Sequence, residues 1–284
     1  MSASGVIVVD KERGPTSHDV VARLRRSLRT RQVGHAGTLD PMATGVLVVA
    51  VGEATKLVPW LTADDKGYLA SIKLGIETDT LDAEGRETVR SEVPSDLEAR
   101  VDGALARERA RGEQVPPVYS AIRIGGERAH ELARRGEAPE LGARSVAVRS
   151  LDLVALRPPD EIDVALEVSK GYFVRAFARD LAASLGTVGH LTALRRTRSG
   201  AFTLADANGE LLPLAEAAAR ALPVSTLTDA GVVAARHGKR VPIGEIATPH
   251  AVPSAWLDAD GRLVAIGAVD AAEGHGRVLR GFAA

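Results

Sequence analysis

The sequence predicts an α+β fold: a mixed sheet flanked by helices, followed by a small β-rich C-terminal domain. Three observations carry the prediction. Short apolar runs of strand length recur along the chain, capped amphipathic helix patterns lie between them, and beyond about Leu222 strands and turns replace long helices. With 284 residues, 45% of them hydrophobic, the chain can bury a sizeable core and divide into more than one domain.

Taken in order, Gly5 to Asp10 reads as a buried strand. Thr16 and Asp19 have the spacing of a capping box, with Pro15 just ahead, and open a helix. Its apolar stripe is Val20, Val21, Leu24 and Leu28, with Arg23, Arg25, Arg26 and Arg29 on the other side. A glycine-rich turn follows and leads into the strand "GVLVVAVG"; "YLASIKLG" then alternates as a further strand. After the polar loop "ETDTLDAEGRE", Ser95 and Glu98 are spaced as a second capping box for a helix running toward Arg111. The run "GEQVPPVYSAIRIGGERAHELARRGE" interrupts the core pattern and reads as an inserted substructure over about 112–143, with a helix from about Glu127. Val146 to Leu156 and Asp163 to Ser169 read as strands. "GYFVRAFARDLAASLG" is an amphipathic helix with Phe173, Phe177, Leu181 and Leu185 on one stripe and Gly186 as its stop. In the tail, "AWLDADGRLVAIG" reads as a hairpin turning at "DADG". These patterns put a domain border near residue 222, giving domains over 1–222 and 223–284.

The chain has no cysteine, which removes disulfides, thiolate nucleophiles and thiolate metal ligands. Its seven histidines are scattered with no pair at ligand spacing, so no metal is expected. The N-terminal apolar stretch is too short for a signal peptide, and "GVLVVAVG" is too short to cross a bilayer, so a cytoplasmic protein with no membrane association is expected. The net charge of −1 argues against indiscriminate coating of nucleic acid. Arginines nevertheless bunch in "RLRRSLRTR", "RAHELARR" and "LRRTR", which suits a polyanion bound at one face.

The informative anomaly is Asp40, one carboxylate in the tightest turn, "GHAGTLDPMATG". Paired-carboxylate glycosidase chemistry is unavailable to it. A lone aspartate can still act as nucleophile or base where the leaving group needs little protonation, as with the delocalised anion of uracil. An Asp–Pro turn with a purely structural role has the same residue types. A phosphatase or calcium site built on "DAEG" or "DADG" lacks the further acids it would need.

The stretch "GHAGTLDPMATGVLVVAVGEATK" resembles the active-site signature of the TruB family of tRNA pseudouridine-55 synthases. "VVDKERGPTSHDVV", "KGYLASIKLGIETDTLDAEG", "GEQVPPVYSAIRIGGERAHELARRG" and "GYFVRAFARDLAASLGTVGHLTALRRTRSG" resemble the family's other blocks, in family order from about residue 5 to 200. The resemblance implies the pseudouridine synthase fold with a PUA-like RNA-binding tail. It also implies isomerisation of uridine 55 in the T loop of tRNA, with no cofactor, by a chain expected to be monomeric. A non-catalytic tRNA-binding or folding module of the same fold is the alternative.

Residue by residue, the resemblance makes Asp40 the essential aspartate, Tyr68 the ring packed on the target base and a candidate for the final proton transfer, and Arg175 the partner of the Asp40 carboxylate. Lys11 supports the site floor, Leu194 lines the uracil pocket, and His35 fills the space left by the extruded nucleotide. Gly34, Gly37 and Gly45 let backbone approach RNA closely. Arg123 and Arg128 in the inserted segment, with Arg195 and Arg196, are expected to contact RNA. Phe173 stands where the family usually has a tyrosine, Tyr172 is out of register with it, and Glu12, Arg123 and His130 replace the usual proline, lysine and tyrosine.

Overall fold

The computed structural model describes residues 4–120, 122–137 and 139–283, with the side chains of Arg128 and His130 outside that description. Its large sheet is mixed and mainly antiparallel. Its strands are β1 (Gly5–Lys11), β2 (Val33–His35), β3 (Thr44–Val51), β4 (Lys66–Leu74), β5 (Val148–Arg157), β6 (Glu161–Val168), β7 (Gly189–Ser199) and β8 (Leu212–Pro213). They run in the order β5-β6-β4-β7-β3-β1-β8, with β2 and the short Phe202–Thr203 strand pairing to one side.

The strand β3 explains why its sequence is continuously apolar rather than alternating. Leu47, Val49 and Val51 join a core on one face, and Val46, Val48 and Ala50 join a second core on the other. A sheet covered on both faces needs apolar side chains at every position. The first core is closed by α1 (Ser17–Ser27), α2 (Leu97–Arg109) and α3 (Val174–Leu185). The second packs on Ala217 and Ala218 of α4 (Leu214–Ala221) and on Ala255, Leu263 and Ile266 of the C-terminal sheet. That sheet has six strands and contains the hairpin Ser254–Leu257 to Leu263–Asp270. At its turn the Asp258 carboxylate accepts from the Asp260 and Arg262 amides, as the "DADG" reading requires. No helix among the described residues is long and apolar enough to cross a membrane.

Local signals succeed where one segment contains both partners. Thr16 and Asp19 form the reciprocal capping box of α1, and Gly186 ends α3 at φ 88°. Ser95 and Glu98 do not form theirs: the cap of α2 is Asp96, whose carboxylate goes instead to Arg100 at 2.7 Å. Leu28 leaves the predicted apolar stripe, because α1 ends at Ser27 and Leu28 is 40% exposed. The inserted segment carries two hairpin residues on each side, Arg123–Ile124 and Glu127–Arg128, and its helix starts at Ala129 rather than Glu127.

One topological detail positions everything that follows. β3 pairs along its length with β1, and on its other edge it has two partners in turn. β2 covers its C-terminal end, from Val33↔Val51 to His35↔Val49. β7 covers its start in parallel, through Arg195↔Thr44 and Arg196↔Gly45. The turn over 36–43, which connects β2 to β3, therefore lies against the place where β7 joins the sheet.

Candidate active site

The 36–43 turn has little secondary structure of its own, so its backbone groups need partners from elsewhere. Side chains from three distant segments supply them. The Lys11 ammonium at the end of β1 donates to the carbonyls of Ala43 at 2.6 Å and Pro41 at 3.3 Å. The Ser17 hydroxyl, in the first turn of α1, donates to the Leu39 carbonyl at 3.0 Å and accepts from the Leu39 amide at 2.9 Å. The Arg196 guanidinium on β7 donates to Gly37, Thr38 and Val46 carbonyls at 3.1, 3.3 and 2.7 Å. All three side chains are essentially inaccessible, each 1% exposed. Burial pushes the Lys11 ammonium below its usual pKa range, and the nearby Asp40 opposes that shift.

With the backbone held, the Asp40 side chain is presented outward and remains 36% exposed, while its partner Arg175 is 9% exposed. Arg175 Nε lies 2.9 Å from Asp40 Oδ2. The same guanidinium donates to the Thr80 and Tyr119 carbonyls, each at 2.9 Å, and Nη1 stands 3.6 Å from Asp82 Oδ2. A planar fork that satisfies four partners fixes its orientation in a way a lysine cannot. Arg175 sits in the first turn of α3, a position that in most helices faces solvent. Here Gln114 secures that end by accepting from the Phe173 amide at 2.8 Å and donating to the Phe173 carbonyl at 3.2 Å.

Tyr68 lies opposite Arg196 on adjacent strands, and Leu194 lies opposite Ala70, so Tyr68, Leu194 and Arg196 share one face of the sheet. Burial raises the Tyr68 phenol above its usual pKa, with Arg196 opposing. His35 packs edge-on to His18, ring centres 5.2 Å apart, and its buried Nδ1 has no hydrogen-bond partner among the described residues. Burial, and then His18, lower its pKa. Gly37 and Gly45 both adopt φ of +102°. The need at Gly45 is close packing on β7, since an added Cβ would stand 2.1 Å from the Arg196 carbonyl oxygen; Gly34 has open space instead.

Several expectations change. Arg196 is a buried clamp on the turn's carbonyls, which corrects the expectation that it contacts RNA: a guanidinium spent on three internal carbonyls has no face left for phosphate. Arg195 is on the surface but paired with Asp10 at 2.7 Å. Arg123 is exposed on the inserted hairpin, and the Arg128 side chain lies outside the described residues. Tyr172 does not replace the missing pocket tyrosine at Phe173. It is buried beside Phe177, ring centres 6.4 Å apart, and its hydroxyl has no hydrogen-bond partner among the described residues.

Three residues were not singled out from the sequence. Ser17 looked like an ordinary helix-start residue. Gln114 gave no signal. Asp82, weighed from the sequence only as the first acid of "DAEG" and not as a partner of Arg175, is 4% exposed, accepts from Thr80 Oγ1 at 2.6 Å and faces Arg175. A buried acid in a loop is legible only once the fold is known.

Comparisons with known proteins identify the family. Residues 25–174 match the family model described as TruB family pseudouridylate synthase (N terminal domain). The chain is 46% identical to tRNA pseudouridine synthase B of Mycobacterium tuberculosis, covering 94% of this chain and 93% of that one. It is 44% identical to tRNA pseudouridine synthase B of Thermobifida fusca, covering 93% and 94%. Among solved structures, a Cbf5–Nop10–Gar1 complex superposes with a TM-score of 0.72 at 25% identity, over 98% of this chain and 84% of that one. A family match across more than half of the chain, near-complete relatives at this identity, and an aspartate–arginine pair held on the signature turn lead to one conclusion: the chain belongs to the TruB family of pseudouridylate synthases.

Proposed function

We propose that this protein converts uridine 55 in the T loop of tRNA to pseudouridine, with Asp40 as the essential carboxylate acting on a flipped-out nucleotide. The observation that carries the reading is the Asp40–Arg175 pair, a half-open carboxylate on a turn whose Gly37, Thr38, Leu39, Pro41 and Ala43 carbonyls are held by side chains from other segments. The tRNA substrate rests on the relatives named tRNA pseudouridine synthase B.

The reaction breaks the bond from C1′ to N1 and forms one from C1′ to C5. The C5 proton leaves and N1 gains a proton, so atoms balance without a co-reactant. Within the site, Tyr68 and Leu194 hold the base from one side, with Phe173 available for stacking. Arg175 orients the Asp40 carboxylate toward it, Lys11 supports the floor, and the positive-φ Gly37 keeps the turn compact. His35, whose pKa burial lowers, takes the space of the extruded nucleotide. Residues 1–222 serve as the catalytic domain and 223–284 as a PUA-like RNA-binding domain.

Tritium release from tRNA labelled at uridine C5 tests the reading directly. The parent protein releases one tritium per tRNA, mapped to position 55, and Asp40→Asn abolishes release while retaining tRNA affinity. The alternative of a non-catalytic tRNA-binding module predicts binding without release from the parent itself.

A further inference from the structure

The arginines of "LRRTR" are occupied: Arg195 pairs with Asp10, Arg198 with Glu167, and Arg196 is buried on carbonyls. The basic segment along α1 differs. Between Thr16 and Gln32 the one acid is Asp19, and its carboxylate accepts from the Thr16 amide and hydroxyl at 2.8 and 2.7 Å. Arg25, Arg26, Arg29 and Arg31 are exposed, and among the described residues none has a carboxylate within ion-pair distance.

The placement of these arginines is directional. His18 and Arg25 lie on the α1 flank that faces β2, Arg26 is in the same last turn, and Arg29 and Arg31 follow in the connection from α1 to β2. At one end of that flank the His18 ring meets His35, the residue that stands beside the turn. At the other, Arg25 Nη2 reaches the Val33 carbonyl at 2.7 Å, with its remaining donors outward. From His18 to Arg25 the flank is about 10 Å long. That length matches roughly three nucleotides of a stacked strand, and Arg29 and Arg31 continue the basic surface beyond the helix end.

We infer that this α1 flank is the principal phosphate-binding surface of the protein, guiding the RNA backbone from His35 outward along Arg25, Arg26, Arg29 and Arg31. The partner is the sugar–phosphate backbone of the RNA that carries the target nucleotide. The inference rests on the pseudouridine synthase reading for the point at which that strand enters. It needs no base-specific contact, since unpaired guanidinium groups bind phosphate without reading sequence.

The test uses the full-length protein with Arg26→Gln/Arg29→Gln, and Arg90→Gln as a charge-loss control on an exposed pair with Glu87. Affinity for full-length tRNA is measured by filter binding across a salt series, and tritium release under single-turnover conditions at saturating protein. The double variant is expected to bind roughly tenfold more weakly. The slope of log affinity against log salt should shrink by about 0.7 to 0.9 for each phosphate that is no longer neutralised. The saturated rate should stay within twofold, because neither residue touches the Asp40 turn. Arg90→Gln should leave the slope unchanged. Parent-like affinity and slope in the double variant overturn the inference, as does an equal loss in the control. Failure of the parent to release tritium while these binding differences persist would sink the functional reading and leave the surface standing.

Discussion

Ser17→Ala isolates the hydroxyl that fastens the Asp40 turn. Ser17 Oγ serves both polar groups of Leu39 at once, accepting from its amide at 2.9 Å and donating to its carbonyl at 3.0 Å, in a site only 1% exposed. Alanine fills the space without a clash but leaves one buried N–H and one buried C=O unpaired. Each such orphan costs about 1 to 3 kcal/mol. Partial relaxation of the turn toward solvent lowers the sum, so the expected loss is about 2 to 4 kcal/mol. Leu39 immediately precedes Asp40, so relief of that cost by backbone movement displaces the carboxylate. A displacement near 1 Å costs roughly a hundredfold in rate. Urea denaturation reads the stability, hydrogen exchange at the Leu39 amide reads the local opening, and single-turnover tritium release reads the displacement. A variant with unchanged Leu39 exchange and a rate within twofold of the parent would refute the claim that this hydroxyl holds the turn.

Four further outcomes follow from the structure. Arg175→Lys keeps the charge but loses the fork that joins Asp40, Thr80 and Tyr119, so turnover in the tritium assay should fall by about a hundredfold or more with tRNA affinity nearly unchanged. Gly45→Ala should fail to give stable protein on expression, because its Cβ would lie 2.1 Å from a backbone oxygen. Gly37→Ala, with no atom nearer than 3.5 Å, should cost only the roughly 1 to 2 kcal/mol of a left-handed residue, read by thermal melts. Lys66 is buried with its ammonium on the Thr62 and Asp64 carbonyls, and burial lowers its pKa to about 8. Below that value the folded state must hold a buried charge. Between about 8 and the ordinary value of 10.5 the unfolded chain keeps the proton and the folded one releases it. Stability relative to Lys66→Met should therefore rise with pH over that window, by up to about 1.4 kcal/mol per pH unit, measured by urea denaturation across the range.

The parts of the site that sequence made legible are those whose cause is local. The Thr16–Asp19 cap, the glycine stop of α3 and the odd carboxylate in a glycine-rich turn can each be seen within a dozen residues. The role of Arg196 is not local: it depends on β7 running parallel to β3, a pairing between residues about 150 apart. "LRRTR" therefore looks like a phosphate-binding cluster, whereas folding puts its first arginine on Asp10, its second on the Gly37, Thr38 and Val46 carbonyls and its third on Glu167. Asp82 was hidden for the same reason, since its partner Arg175 comes from a helix far along the chain. The failed Ser95–Glu98 box differs in kind. There a neighbouring aspartate took the cap position and an arginine one turn later took its carboxylate, a competition that motif spacing cannot arbitrate.

The clamp of Arg196 on Gly37 and Thr38 also bears on when the catalytic centre comes into being. A nascent chain that has emerged only through β3 already contains Asp40, Lys11 and Ser17, yet the guanidinium that closes the turn lies 158 residues beyond Thr38 and is still to be synthesised. The turn cannot be clamped until β7 has been made, and a chain interrupted before β7 carries Asp40 on a turn without the guanidinium that holds it.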